Sequence, residues 1–423
     1  MKKGGMRMRI KNVVLTLKMP KKFDFLMQFA VLILILFGTL MIVSTNVGNT
    51  TKDPYIIPKV LAKQLFFIIV SYALMTFFAN NFTMKRAQKL FPIFGIGIII
   101  ALFSTQLFQD VLGSKAWIRI PIPGLGEMTI QPSEFAKVYM VVVMAVFVEL
   151  TARRRKFKFW TIVRIPVYFF MVIAAAILLQ KDLGTLFVLI LLCAICFLIP
   201  SHISLRKQQR WVRLGLIVGC ISIVFIMSEP VINFLNGIGP LQHVAVRIEN
   251  ALNPFTDPHN NGYQLINGLY GFARSGFTGV GLGNSIQKYG YLTQSDNDFI
   301  LSIIVEELGI FGLMVVVLGY VVILQRLFYY AFHTKSEGYK IILVGTAMYI
   351  FIHFALNVGG VSGLIPLTGV PLLFISSGGS SLLSIMTAIG ISQSVISRIR
   401  RQGSVAVNAA CLLYTSGLRC VLL

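Results

Sequence analysis

Charge is scarce in this chain, and negative charge scarcest: Asp and Glu together number 15 among 423 residues, against 38 Lys and Arg. Charged residues make up 13% of the chain and hydrophobic ones 56%, and the mean hydropathy is +0.79. Soluble domains carry about a quarter charged residues, so this composition excludes that class and makes lipid the solvent for most of the chain. Cysteine is also sparse, at five residues. Cys193 and Cys196 share one apolar run and Cys220 lies in another, so the C-x-x-C spacing reads as small-residue packing rather than redox chemistry. No small-residue cleavage site follows the first apolar run, which therefore reads as a retained anchor from Phe25. No internal repeat is visible, which counts against a transporter built from inverted halves.

What is present is a series of apolar runs, each near the roughly 20 residues that cross a bilayer. They fall at 25–44, 61–78, 90–108, 135–150, 162–179, 183–200, 214–234, 299–320, 341–358 and 371–396. The fold expected is an all-α polytopic membrane protein of about ten helices, with both termini cytoplasmic and a long extracellular loop before helix eight. The formal charge of +23 would suggest nucleic acid in a soluble chain, but here the cations cluster between apolar runs, as the positive-inside rule requires. No nucleic-acid partner is expected. Basic clusters at Lys85, Arg86 and Lys89, at 153–158, at Arg206, Lys207, Arg210 and Arg213, and at Arg398, Arg400 and Arg401 mark predicted cytoplasmic connections. Asp53, Asp110, Glu127, Glu134, Asp182, Glu229, Glu249, Asp257, Asp296 and Asp298 all fall on the predicted outer side. Acid–base chemistry is therefore expected to face outward. The domain reading is a basic cytoplasmic segment at 1–22, a membrane domain at 23–402, and a tail at 403–423 expected to be non-native or disordered.

Two outer connections, 109–133 and 235–297, exceed ordinary loop length, and their Gly, Trp and Tyr content points to function rather than plain disorder. Asp298 stands where a polar loop becomes an apolar helix. A carboxylate partly withdrawn from water has a raised pKa and is a better general base, while the plainer role is an N-cap for that helix. Glu306 and Glu307 lie deeper and demand cationic partners. Gln131-Pro132-Ser133-Glu134 opens the fourth helix with Lys137 one turn on. That is ordinary helix-start chemistry, or equally a charged pair facing a cavity. Trp117 and Arg119 suit either an interface anchor or a grip on sugar and phosphate. Asp182 reads as a cap of the sixth helix or as a group at the cavity mouth. Gly279-Val280-Gly281-Leu282-Gly283 has no βαβ surround, which rejects a dinucleotide loop. Its glycines are expected to let backbone approach a large ligand. Arg247, Arg274 and Lys288 are candidates for phosphate contact. Polar and glycine breaks at 357–360 and 366–381 imply a lined cavity, with Ser377 and Gly378 as candidates for substrate contact.

The ordered set GSKAWIRI, QPSEFAKV, QKDLGT, GLGNSIQK with NDFI and EELG, and NVGGVSGLIPLTGVPLLFISSGGSS resembles the SEDS family of bacterial shape, elongation, division and sporulation proteins. The resemblance spans about 24–401 and lies nearer the FtsW branch than the RodA branch. It implies a peptidoglycan glycosyltransferase that polymerises lipid II outside the cytoplasmic membrane, at the division septum, onto a nascent glycan strand. A class B penicillin-binding transpeptidase and other divisome proteins are the partners it implies. The family's essential aspartate falls on Asp298, its loop tryptophan on Trp117, its acid and lysine on Glu134 and Lys137, and its pre-helix aspartate on Asp182. Where the family usually reads Leu-Pro-Glu, this chain has Leu292-Thr293-Gln294, with Asp296 a substitute for the missing glutamate. The departing diphosphate requires neutralisation by Arg or Lys, or by a divalent cation, Mg²⁺ or Mn²⁺. A lipid II flippase, an elongation polymerase and a recruiting scaffold are the alternatives.

Overall fold

The structure, a computed structural model, describes residues 8–10, 13–50, 53–109, 114–122, 126–152, 159–226, 228–236, 242–259 and 262–415. Every predicted apolar run contains a helix, although that at 371–396 becomes helical only from Gly379. The helices are α1 (Phe25–Asn46), α2 (Ile56–Asn81), α3 (Met84–Ser104), α4 (Pro132–Ala152), α5 (Phe159–Leu179), α6 (Leu183–Leu198) and α7 (Arg206–Ile226). After the long connection come α11 (Ile300–Phe332), α12 (Glu337–Val361) and α13 (Gly379–Thr415). Among the described residues, seven spans are long and apolar enough to cross a membrane: those of α1, α2, α3, α5, α11, α12 and α13. The other three depart for visible reasons. α4 carries Glu134, Lys137 and Glu149, α6 has only 16 residues, and α7 opens on Arg206, Lys207, Arg210 and Arg213. The chain is a mostly helical multi-pass membrane protein.

The long loop expected before the eighth helix is partly helical itself. It holds α8 (Glu229–Asn236), α9 (Gln242–Leu252) and the amphipathic α10 (Tyr263–Arg274), whose Leu265, Ile266 and Gly268 pack inward. A minor β component also appears. β1 (Met8–Ile10) pairs with β2 (Val13–Leu15), and β3 (Ile118–Ile122) pairs antiparallel with β4 (Gly126–Ile130) in the register Ile118↔Ile130. Pro121 within β3 is tolerated because a two-stranded ribbon consists of edges. Of the tail, α13 continues helical to Thr415, while 416–423 lie outside the described residues, as do 1–7 and the basic cluster at 153–158.

α13 is the axis of the bundle: 89% of its membrane window is buried, where α3 buries 17%. It packs along α2 so closely that a Cβ on Gly390 would lie 2.3 Å from the Met75 carbonyl oxygen. Only glycine allows that approach. α12 packs against both α4 and α11, and α1 against α11. Pro371 and its neighbours delay the last helix, so 366–378 form an irregular loop rather than the helix start expected from 371. Irregular backbone at this depth has to be covered by protein, and α1, α6, α11 and α12 all pack against it.

At the end opposite this loop, Asp24 is 2% exposed and caps α1 by accepting from the Met27 amide at 2.8 Å. Arg326 of α11 grips the same carboxylate at 2.6 and 3.1 Å, and Tyr330 donates to it at 2.8 Å. Gln393 of α13 brackets the Asp24 main chain at 2.9 and 3.0 Å. One short acid thus joins three helices.

Candidate active site

The 294–298 turn precedes α11, with Gln294 in the left-handed region at φ 61°. The cap position of α11 is Phe299, and no side chain caps it. The plainer role for Asp298, an N-cap, is therefore not the one it plays. Its Oδ1 is buried without a hydrogen-bond partner, and its Oδ2 lies 3.8 Å from where a Cβ on Gly369 would sit. Burial first, and the neighbouring Asp296 charge second, push its pKa up to about 6. A carboxylate of that kind, free of structural duties, is the form a general base takes.

The 366–378 loop lies across this turn. The Ser377 amide donates to the Asp296 carbonyl at 2.9 Å, and the Ser376 hydroxyl donates to the Asn297 carbonyl at 2.8 Å. Asn357 of α12 donates to the Asp298 carbonyl at 2.8 Å and to the Val370 carbonyl at 3.0 Å. Ser377 and Gly378, selected from sequence, are thus brought beside Asp298; a Cβ on Gly378 would lie 3.8 Å from Asn297 Oδ1.

Glu134 and Lys137 face inward from the first turns of α4, each 1% exposed, and pair at 2.8 Å. Lys137 also reaches His353 Nε2 at 2.9 Å, and His353 Nδ1 lies 3.3 Å from the Pro371 carbonyl. With the ammonium as donor to Nε2, Nδ1 carries the ring proton and donates to that carbonyl. Tyr349 donates to Glu134 at 2.5 Å. The pair therefore touches the 366–378 loop through His353 and faces α12. Asp182 caps α6 through Thr185 at 3.0 Å with one oxygen and accepts from Gln131 at 2.9 Å with the other. The structure shows the cap, and the α6 start also abuts the loop: a Cβ on Gly184 would lie 2.4 Å from the Thr368 carbonyl.

The remaining candidates separate from this group. Trp117 is half-buried just before β3, and Arg119 pairs across the ribbon with Glu127 at 3.6 Å. Lys288 differs from the expected phosphate contact. It is 2% exposed, bonded to Glu307 at 3.0 Å and to the Gly283 carbonyl at 2.5 Å, so its charge is spent on a buried partner. Arg274 likewise pairs with Glu306 at 3.1 Å while remaining partly exposed. Arg247 lies on α9, but its side chain is outside the described residues.

Gly279 and Gly281 of the 276–283 segment lie against α11. Gly309, at φ 59°, interrupts α11. The amides of Val280 and Gly281 take the freed carbonyls of Glu306 and Glu307, each at 2.9 Å, and the Ile310 amide binds the Phe277 carbonyl at 3.1 Å. A Cβ on Gly279 would lie 2.3 Å from the Glu307 carbonyl oxygen. Sequence reasoning missed Tyr349 and His353 as site residues and read Asn357 and Ser376 only as parts of helix breaks lining a cavity. The signal for the α12 residues was the spacing 349, 353, 357, one polar face in an apolar helix.

A model of the cell cycle protein family that includes FtsW, RodA and SpoVE matches residues 24–402. The chain belongs to the FtsW/RodA/SpoVE family. It is 36% identical over 388 residues to the probable peptidoglycan glycosyltransferase FtsW of Bacillus subtilis (strain 168), covering 88% of this chain and 90% of that one. It is 30% identical over 379 residues to stage V sporulation protein E of the same organism, covering 87% and 95%. The fold is shared with a peptidoglycan synthase complex solved for its coordination of polymerization and crosslinking (TM-score 0.65, 19% identity, 90% of this chain and 99% of that one). It is shared also with the Thermus thermophilus rod shape determining protein RodA (TM-score 0.58, 18% identity, 89% and 97%). Within the FtsW/RodA/SpoVE chain described here, the bundle end that carries Asp298 also carries the ordered blocks of the family resemblance.

Proposed function

We propose that this chain is a peptidoglycan glycosyltransferase that polymerises lipid II on the outer face of the cytoplasmic membrane, with Asp298 as its general base. Relatives named as FtsW glycosyltransferases at 36% and 31% identity support the activity and favour the division septum over the side wall. The observation that carries the chemistry is Asp298 itself: uncapped, partly buried, with one unpartnered oxygen and a pKa near 6.

Asp298 takes the proton from the acceptor sugar hydroxyl as that oxygen attacks the anomeric carbon of the donor. The new glycosidic C–O bond forms as the bond to undecaprenyl diphosphate breaks, with inversion at the anomeric centre. The diphosphate leaves as an anion and needs no proton, so a single base is sufficient. Its charge needs cationic neutralisation. Among the described residues no group of three His, Cys, Asp or Glu side chains gathers to hold a metal, and Mg²⁺ or Mn²⁺ carried by the diphosphate with one or two carboxylates would supply the same neutralisation. Arg119 and Arg274, each partly exposed, are the candidates among described cations. A class B penicillin-binding transpeptidase is the proposed partner, in keeping with the fold shared with a complex that couples polymerization to crosslinking.

Asp298→Asn preserves shape and removes the base. The purified variant, assayed with its partner, is expected to lose lipid II polymerisation by at least about a hundredfold, the scale of general-base catalysis. Wild-type turnover by this variant would sink the assignment.

A further inference from the structure

Three polar residues recur at four-residue intervals along the apolar α12, which places Tyr349, His353 and Asn357 on one helix face. All are buried, at 1%, 0% and 3% exposure. Tyr349 binds Glu134, His353 binds Lys137 and the Pro371 carbonyl, and Asn357 binds the carbonyls of Val370 and Asp298. The second and third rungs, His353 and Asn357, thus hold the adjacent carbonyls of Pro371 and Val370, and the last rung also holds the residue proposed as base. From the other side, Ser376 accepts from the Leu372 amide at 2.9 Å and donates to the Asn297 carbonyl at 2.8 Å. The consecutive carbonyls of Asp296, Asn297 and Asp298 are each held by a separate donor, and two of those donors are the side chains of Ser376 and Asn357.

We propose that Asn357 and Ser376 are positioning residues for Asp298, fixing the 296–298 backbone so that its carboxylate meets the acceptor hydroxyl while staying withdrawn from bulk water. This rests on Asp298 being the base. Asn357 is suited to the task because one amide group spans both sides of the site, bonding the 294–298 turn and the 366–378 loop together. A carboxylate in its place would offer no hydrogen to either carbonyl and would set like partial charges against each other, in a buried position where an unmet acceptor is costly. A shift of about 1 Å in a reacting group is enough to cost on the order of a hundredfold in rate.

The test uses the full chain with its partner, assayed for lipid II polymerisation across pH. Asn357→Asp and Ser376→Ala are each expected to lower kcat by about 10–100-fold while KM for lipid II stays within about threefold, because the loss is in orientation and not in binding. Ser376→Ala should also move the acid limb of kcat downward, toward the ordinary carboxylate range, as water reaches Asp298, whereas in Asn357→Asp the added like charge opposes that shift, so only its kcat is read. Ser376→Thr retains the hydroxyl and should keep both kcat and the limb near wild type. A merely structural role would reduce the amount of active enzyme without moving the limb, and would not be rescued by threonine. If Asn357→Asp does not fold, the Ser376 pair decides. Wild-type kcat with an unmoved limb, or equal loss in Ser376→Ala and Ser376→Thr, overturns the positioning role. These results are separable from failure of the base assignment, which would appear as an active Asp298→Asn control.

Discussion

Asp298 differs from the other buried acids of this protein in what its oxygens do. Asp24, Glu134, Glu306 and Glu307 each meet a cation, whereas Asp298 Oδ1 is enclosed without a partner. With no opposing positive charge, burial and the Asp296 carboxylate both favour the neutral acid, and the pKa rises to about 6. As the proposed base Asp298 acts in its ionised form, so kcat should fall as pH drops through about 6 and level off above it. Asp296→Asn removes the smaller of the two causes. It should shift that limb downward while leaving it above the ordinary aspartate value, because burial persists. A kcat–pH profile of wild type and variant checks both statements, and a limb that rises or stays fixed in the variant contradicts this account. The position of Asp298 at a polar–apolar boundary was readable in the sequence, and so was the tension between cap and base. What decided it, a helix start displaced to Phe299 and left uncapped, depends on the turn at Gln294 and on contacts with residues some 60–80 positions away. Local sequence carries no trace of those contacts.

Among the elements, α11 shows how a glycine-rich loop and a pair of glutamates explain each other. Gly309 opens the helix, the 277–281 segment supplies the replacement hydrogen bonds, and Glu306 and Glu307 turn their carboxylates to Ser285, Ile286 and Lys288 just beyond it. Ser44 of α1 donates to Glu307 at 2.7 Å and Lys288 completes the knot at 3.0 Å, with both members of that ion pair fully buried. Lys288→Met leaves a buried carboxylate without its cation, a change that typically costs about 3–5 kcal/mol. Thermal unfolding in detergent should register a marked destabilisation, and the double variant Lys288→Met with Glu307→Gln should recover part of it. Loss of activity with unchanged thermal stability in Lys288→Met would instead return Lys288 to the role of phosphate ligand. That Glu306 and Glu307 needed cations followed from desolvation cost alone. Which cations they would find did not, because Arg274 and Lys288 are drawn in by the fold of a segment whose sequence reads as loop. The helical interior of that segment was missed for a related reason: α8, α9 and α10 have only 8, 11 and 12 residues, and α10 is stabilised by tertiary packing of one face.

At the scale of the whole molecule, the two ends of the bundle differ in kind, and that difference separates a polymerase from a transporter. At one end Asp298, Asp182, the Glu134–Lys137 pair and the 366–378 loop converge. At the other, Asp24, Arg326, Tyr330 and Gln393 tie α1, α11 and α13 together, and Arg400 and Ser397 bind the main chain at Phe23 and Lys21. Between the ends, α13 buries an apolar surface that includes Ile385, Met386, Ile389 and Val395 against its neighbours. A flippase must carry a large polar headgroup past this layer and open both ends in turn. A polymerase needs access at one end only, with the prenyl chains left in lipid. The expected outcome is that purified chain with its partner polymerises lipid II in detergent, where no second side exists, and that Asp298→Asn abolishes this. In sealed vesicles, Arg326→Met, which strips the clamp of its guanidinium, should lower thermal stability without producing transport of lipid II across the bilayer. Transport that accelerates when the clamp is loosened, together with absent polymerisation in detergent, would show that the two ends communicate through an opening pathway and would transfer the Asp298 site to a transporter.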